Sequence, residues 1–137
     1  MKIIVLLLLT LTLISCKKHD LTKDIGEEIT ICFEEKGTIK DYENQIDLKF
    51  IHLVEDSRCP EGVQCIWAGR AVVEIRINST DIITLGIGDL TGATNTPYVN
   101  FVEYNNYRIS LLEVTYKQKK HQGKEEKYQI KLRVDKK

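Results

Sequence analysis

Four cysteines are the residues in this chain best placed to do chemistry: Cys16, Cys32, Cys59 and Cys65. Cys59 and Cys65 bracket Pro60-Glu61-Gly62-Val63-Gln64 inside RCPEGVQCIWAG, residues 58–69, which also holds the only tryptophan, Trp67. Zinc, redox exchange and a structural disulfide compete for such a pair. Structural zinc sites use four ligands and usually space paired cysteines two to four residues apart. Here five intervene, and His52 or Cys32 would have to complete the set from another strand. Redox catalysis draws on Cys-x-x-Cys to lower a thiol pKa, and that spacing is absent. A disulfide requires only that the chain double back, which Pro60, fixing φ, and Gly62, permitting a tight reversal, both favour. The disulfide is the expectation, and closing so short a loop removes about 2.4 kcal/mol of unfolded-chain entropy.

Hydrolysis would draw on Asp56 and Ser57 with His19, His52 or His121. No Gly-x-Ser-x-Gly elbow frames the serine. His19 and His121 stand in polar stretches that offer no rigid element. His52 falls in a strand-like pattern, where a surface histidine is the simpler reading. Asp56-Ser57-Arg58 reads as a turn, the carboxylate capping backbone amides and the guanidinium pairing with Asp56 or Glu55. No catalytic residue, metal ligand set or cofactor motif is assigned. Cys32 alternates out of phase with Ile31 and Phe33, and a buried free thiol is its default reading.

The elements that must hold these residues begin with a leader. Met1-Lys2 runs into twelve apolar-rich residues, Ile3 to Ile14, where a spanning helix needs about 20. This is the pattern of a secretory signal peptide. Leu13-Ile14-Ser15-Cys16 resembles the lipobox of bacterial lipoproteins. The resemblance implies that Cys16, whose sulfur is the nucleophile lipidation requires, carries a diacylglyceryl thioether and becomes the first residue after cleavage. Two or three acyl chains suffice for stable anchoring, so the protein is expected to be tethered to the membrane and not to span it. By resemblance to Gram-negative sorting, Lys17 in place of an aspartate points to the outer membrane. Disulfides form and persist in that compartment. The expected organisation is a signal peptide over 1–15, a lipidated cysteine and flexible tether over 16–27, and one folded domain over 28–135. The tether's reach is roughly 17 Å.

Twenty Lys+Arg balance twenty Asp+Glu, which argues against a dedicated nucleic-acid binder. Asp20 to Glu61 carries twelve acidic and five basic residues, and Lys117 to Lys137 nine basic and three acidic. The basic end is a candidate contact surface for an anionic partner or lipid headgroups, with a solvated lysine-rich loop, KQKKHQGKEEK, as the simpler reading.

Period-two alternation dominates after the tether. Tyr128, Ile130, Leu132 and Val134 face one way and Gln129, Lys131, Arg133 and Asp135 the other. Ala71, Val73, Ile75 and Ile77 alternate likewise, and Trp67 shares their parity, which predicts an inward indole near the disulfide. Ile29, Ile31 and Phe33 form a shorter run. The runs Ile46–Phe50 and Tyr107–Leu111 slip phase near Ile51 and Leu112, as a β-bulge would make them. Asn105-Asn106 suits a two-residue hairpin turn, Asn78-Ser79-Thr80-Asp81 separates two further strands, and Gly86-Ile87-Gly88 reads as loop. About seven short strands predict an antiparallel, Ig-like β-sandwich, with a small closed β-barrel as the alternative.

Phe50 through Cys59, FIHLVEDSRC, followed by Cys65-Ile66-Trp67-Ala68-Gly69, resembles a family of small, mostly uncharacterised bacterial lipoproteins. Their pattern reads Glu-Asp-Ser-Arg-Cys-Pro, then the second cysteine, then Trp-Ala-Gly opening a strand. Leu111-Leu112-Glu113-Val114 and Tyr128 through Val134 match the later elements, while Thr115-Tyr116 stands where the family has a proline-rich step. The resemblance spans about Gln45 to the C-terminus and implies a structural motif at Asp56, Ser57, Arg58, Pro60, Trp67 and Gly69. It carries no established activity. Three functions follow as expectations: a non-enzymatic envelope lipoprotein that binds a protein or other envelope component, a carrier of a small apolar ligand, or a small hydrolase.

Overall fold

Residues 21–60, 62–90, 98–116 and 128–137 are described by a computed structural model. The signal peptide, Cys16, His19, Glu61 and the lysine-rich stretch with His121 lie outside the described residues. Alternating side chains build nine strands and, among the described residues, no helix: β1 (Leu21–Asp24), β2 (Glu28–Cys32), β3 (Lys36–Asp41), β4 (Asn44–Asp56), β5 (Arg70–Ile77), β6 (Asp81–Gly88), β7 (Phe101–Tyr104), β8 (Tyr107–Tyr116) and β9 (Tyr128–Lys136). They form one sheet in the order β1-β3-β4-β5-β6 and a second in the order β2-β9-β8-β7. Neither closes on itself, so the fold is a β-sandwich and not a barrel.

The core follows the sequence alternation. Leu48, Phe50, Val73 and Ile75 of the first sheet and Ile29, Ile109, Leu132 and Val134 of the second are all buried in one apolar cluster. Phe33 meets Phe50 edge-on, ring centroids 5.4 Å apart. Each phase slip is a break in register: β4 shifts against β5 between Phe50 and His52 and again between Leu53 and Glu55, and β8 shifts against β9 between Leu111 and Glu113. Asn105 turns the β7–β8 hairpin at φ 52°.

Two strands exceed the expected seven. β3 holds a single large apolar residue, Ile39, in KGTIKD, too weak a period to stand out. β1 overturns part of the 16–27 tether: Leu21–Asp24 is a strand that pairs parallel with Gly37–Lys40, and Leu21 and Ile25 pack against the core. The sandwich is therefore antiparallel except at this edge. Gly86-Ile87-Gly88, read as loop, ends β6 instead.

The strands give the sandwich two unlike ends. At the turn end lie the tight β3–β4 and β7–β8 hairpins. At the loop end β4 finishes, the disulfide segment follows, β5 begins, and Tyr116 of β8 pairs with Tyr128 of β9.

Candidate functional site

The loop end gathers most of the motif residues. Cys59 and Cys65 are joined, Cα atoms 5.8 Å apart, so the disulfide is as expected. Pro60 accepts a hydrogen bond from the Val63 N–H at 3.2 Å, closing the turn inside it.

Around this loop the polar residues form a clasp. Arg58 directs Nε at Asp56 Oδ1 (2.8 Å) and Nη2 at Asp56 Oδ2 (2.9 Å), while its Nη1 reaches across to the Val114 carbonyl on β8 at 2.7 Å. Tyr128, at the start of β9, donates its hydroxyl to Asp56 Oδ2 at 3.0 Å. Asp56 and Arg58 belong to the first sheet's chain and Val114 and Tyr128 to the second sheet, so the group ties the two sheets together. Its electrostatics follow from its geometry. Burial alone would raise the Asp56 carboxyl, but the hydrogen bonds of Arg58 and Tyr128 and the guanidinium charge outweigh it and hold the carboxyl below its ordinary value. The Asp56 hydrogen bond raises Arg58. Burial, and then Asp56, push the Tyr128 phenol up to about 12. The Tyr116 ring meets the Tyr128 ring at 5.1 Å.

Glu55 takes the other arginine. Arg70 Nε lies 3.0 Å from Glu55 Oε2, with its guanidinium carbon 5.0 Å from the Tyr98 ring centre. Ser57 donates its hydroxyl to Glu55 Oε1 at 2.9 Å and accepts from the Arg70 N–H at 3.1 Å, while its own N–H donates to the Arg70 carbonyl at 2.8 Å. The turn read from Asp56-Ser57-Arg58 is thus a lock between the end of β4 and the start of β5. Gly69 makes the approach possible. Its φ is +66°, and a Cβ there would lie 2.2 Å from the Ser57 carbonyl oxygen. Gly88, at φ +96°, packs in turn on Gly69, where a Cβ would come within 2.6 Å of the Gly69 carbonyl.

Trp67 corrects the sequence reading. It is 57% exposed, not inward, because β5 starts only at Arg70 and the left-handed turn at Gly69 breaks the alternation that would have carried its parity back to 67. Its indole N–H donates to the Ser57 carbonyl at 3.0 Å, which fixes the ring while leaving its face outward. Ile66, at 101%, and Val63, at 57%, are exposed on the same loop.

Cys32 is also corrected. Its side chain is half-buried and it is disulfide-bonded, not a free thiol, with a partner outside the described residues. His52 is exposed on β4. Among the described residues no three His, Cys, Asp or Glu side chains cluster as a metal site requires. An open groove of about 440 Å³ on the outer face of the second sheet is lined by Phe101, Arg108, Arg133, Lys136 and Lys137, among others. Each of its cations is paired: Arg108 and Lys137 with Glu103, Arg133 with Asp135, and Lys136 with Asp41.

Sequence reasoning missed Glu55–Arg70 as a pair, and it placed Tyr128 and Val114 in strands without their contacts to Asp56 and Arg58. Only Tyr128 left a signal, a polar-tipped aromatic opening an otherwise aliphatic inward row.

Fold and site together define a two-sheet β-sandwich whose most distinctive motif is a clasp between the sheets that frames a disulfide-bonded loop. Compared with protein-family models, curated protein sequences and solved structures, the chain matches none.

Proposed function

We propose that this protein is a membrane-anchored lipoprotein of the bacterial envelope, lipidated at Cys16, that works by contact and not by catalysis. The observation that carries the second half is the division of labour at the loop end. The polar groups a hydrolase would use are engaged in holding the fold: Ser57 with Glu55 and Arg70, Asp56 with Arg58 and Tyr128. The large apolar side chains of Val63, Ile66 and Trp67 are exposed instead, as a surface kept for contact would have them. The anchor rests on Leu13-Ile14-Ser15-Cys16 behind a short apolar core. The outer membrane is the proposed location, on Lys17.

Metabolic labelling with a fatty acid, followed by detergent partition, tests the anchor. Wild type should label and enter the detergent phase, and Cys16→Ala should do neither. Equal labelling of the two would overturn the reading. The cysteine count sharpens the test. The disulfide at Cys32 and the anchor compete for one sulfur. With Cys59 and Cys65 joined to one another, Cys16 is the one cysteine of the chain left for Cys32. A thioether consumes it, so in the lipidated chain Cys32 is a thiol or is bonded to another chain. The intact mass of the mature protein, with and without reductant, separates the two states.

A further inference from the structure

The exposed apolar loop and the path of the N-terminal strand point in one direction. Leu21 pairs with Gly37, Gly37 with Leu48, and Leu48 with Ile77, which places Leu21 on one level across the first sheet. β1 runs antiparallel to β4, so the chain enters the fold travelling away from the loop end. From the Ile77 level to the Ala71–Asp56 pair, β5 covers six residues, roughly 20 Å at strand rise. The disulfide-bonded loop lies beyond that pair. Cys16 stands five residues before Leu21, a span of at most roughly 17 Å even when fully extended. A lipid on Cys16 therefore holds Leu21 no farther from the bilayer surface than the loop end extends past Leu21, and extends it towards the side from which the chain arrives.

The chemistry of the loop suits that surface. Glu61 is the one charged residue between Cys59 and Cys65, and residues 62–69, which hold all three apolar contact residues, carry none. Val63 and Trp67 are 57% exposed and Ile66 is 101% exposed. The indole N–H already donates to Ser57 O, so seating the ring among headgroups strands no donor. The Cys59–Cys65 bond and the Gly69 turn hold the loop beforehand, which lowers the ordering cost of contact. Tryptophan favours the membrane–water boundary.

We infer that the Cys59–Cys65 loop is a second membrane contact, with Val63, Ile66 and Trp67 lying in the headgroup region of the bilayer that holds the Cys16 lipid. This rests on the anchor proposed above. The loop works with the lipid to fix how the sandwich sits, loop end down, and leaves the turn end facing away from the membrane.

Trp67 is the only tryptophan, so its emission reports the loop directly. The full lipidated chain is placed in phosphatidylethanolamine–phosphatidylglycerol vesicles, with or without acyl chains brominated near the headgroup. Flotation reads the anchor, and quenching reads the loop. Brominated lipid should lower Trp67 emission by about twofold, as for a ring at the interface, and the bilayer should shield it from iodide. Ile66→Asp should restore the emission while flotation is unchanged. A chain that floats but shows equal emission in both vesicles, with full iodide access, overturns the inference and spares the anchor. Shielding found only in native envelopes, and not in protein-free vesicles, assigns the loop to a protein partner and also overturns it. A chain that fails to float overturns the anchor, and this inference with it.

Discussion

At the turn end, Asp41 of β3 sinks its carboxylate between the sheets and takes both its partners on one oxygen. Tyr107 donates to Oδ2 at 2.9 Å and Lys136 at 3.0 Å, while Oδ1 is buried and accepts no hydrogen bond among the described residues. Beside it Tyr104 donates to Asp81 at 2.5 Å. At the loop end, Asp56 spreads Arg58 and Tyr128 over both oxygens, and Arg58 has a nitrogen left for a carbonyl of the facing sheet. Three tyrosines of the second sheet thus reach three aspartates of the first, yet the cations differ. Lysine supplies a point charge on a flexible stem, and arginine a planar fork that sets direction. The end with the fork is the end that frames the disulfide loop. A contact surface carried on a loop needs such a rigid base.

The comparison breaks most visibly at Gly69, which has no counterpart at the turn end. Gly69→Ala puts a Cβ against the Ser57 main chain at a positive φ, so neither rotation nor a side-chain shift relieves it. The expected loss is about 3–5 kcal/mol by urea unfolding, among the larger single-residue effects. A loss within experimental error would mean that the β4–β5 lock is loose.

Next in size is a matched pair of truncations. Arg58→Ala removes the fork and leaves Asp56 to Tyr128, and should cost about 2–3 kcal/mol once the partial exposure of both side chains is discounted. Lys136→Ala should cost less, because the lysine side chain is 57% exposed and contributes one bond. Equal losses would erase the distinction between the ends.

How much of this was legible in the sequence depended on how local the signal was. The bulges near Ile51 and Leu112 were visible because a phase slip is written in adjacent residues. The Asn105 turn and the Cys59–Cys65 bond were visible for the same reason. β1 and β3 were not, since LTKD and KGTIKD expose more polar side chains than they bury and gain their place from neighbours. Trp67 was misplaced because parity was carried through Gly69, where the backbone leaves the extended region. Of the clasps only the local half, Arg58 on Asp56, was legible. Their links across the sheets were not, because Tyr128 and Asp56 are 72 residues apart and Tyr107 and Asp41 are 66 apart, and nothing in either segment names the other.

Because Trp67 is exposed, the disulfide should outweigh the indole in stability. Cys59→Ser with Cys65→Ser should cost about 2 kcal/mol through the unfolded state. Trp67→Ala, losing one hydrogen bond on an exposed ring, should cost about 1 kcal/mol or less. Paired urea titrations check it, and a Trp67 loss above that of the cysteine pair would mean that the indole is buried after all.

The claim that the two sheets are tied through Asp56 is tested most directly by a double-mutant cycle of Asp56→Asn and Tyr128→Phe, followed by urea unfolding across pH. The Asp56 carboxyl lies below its ordinary value when folded, so its contribution is complete above the unfolded pKa, near 3.9, and is lost as pH falls through the lower folded value. Tyr128, raised to about 12, keeps its contribution below about pH 10, the ordinary phenol value, and loses it as pH rises through 12. The predicted coupling is about 1 kcal/mol at pH 7, steady to pH 5 and fading below pH 4. Additive losses at pH 7, or a coupling unchanged in acid, would contradict the clasp.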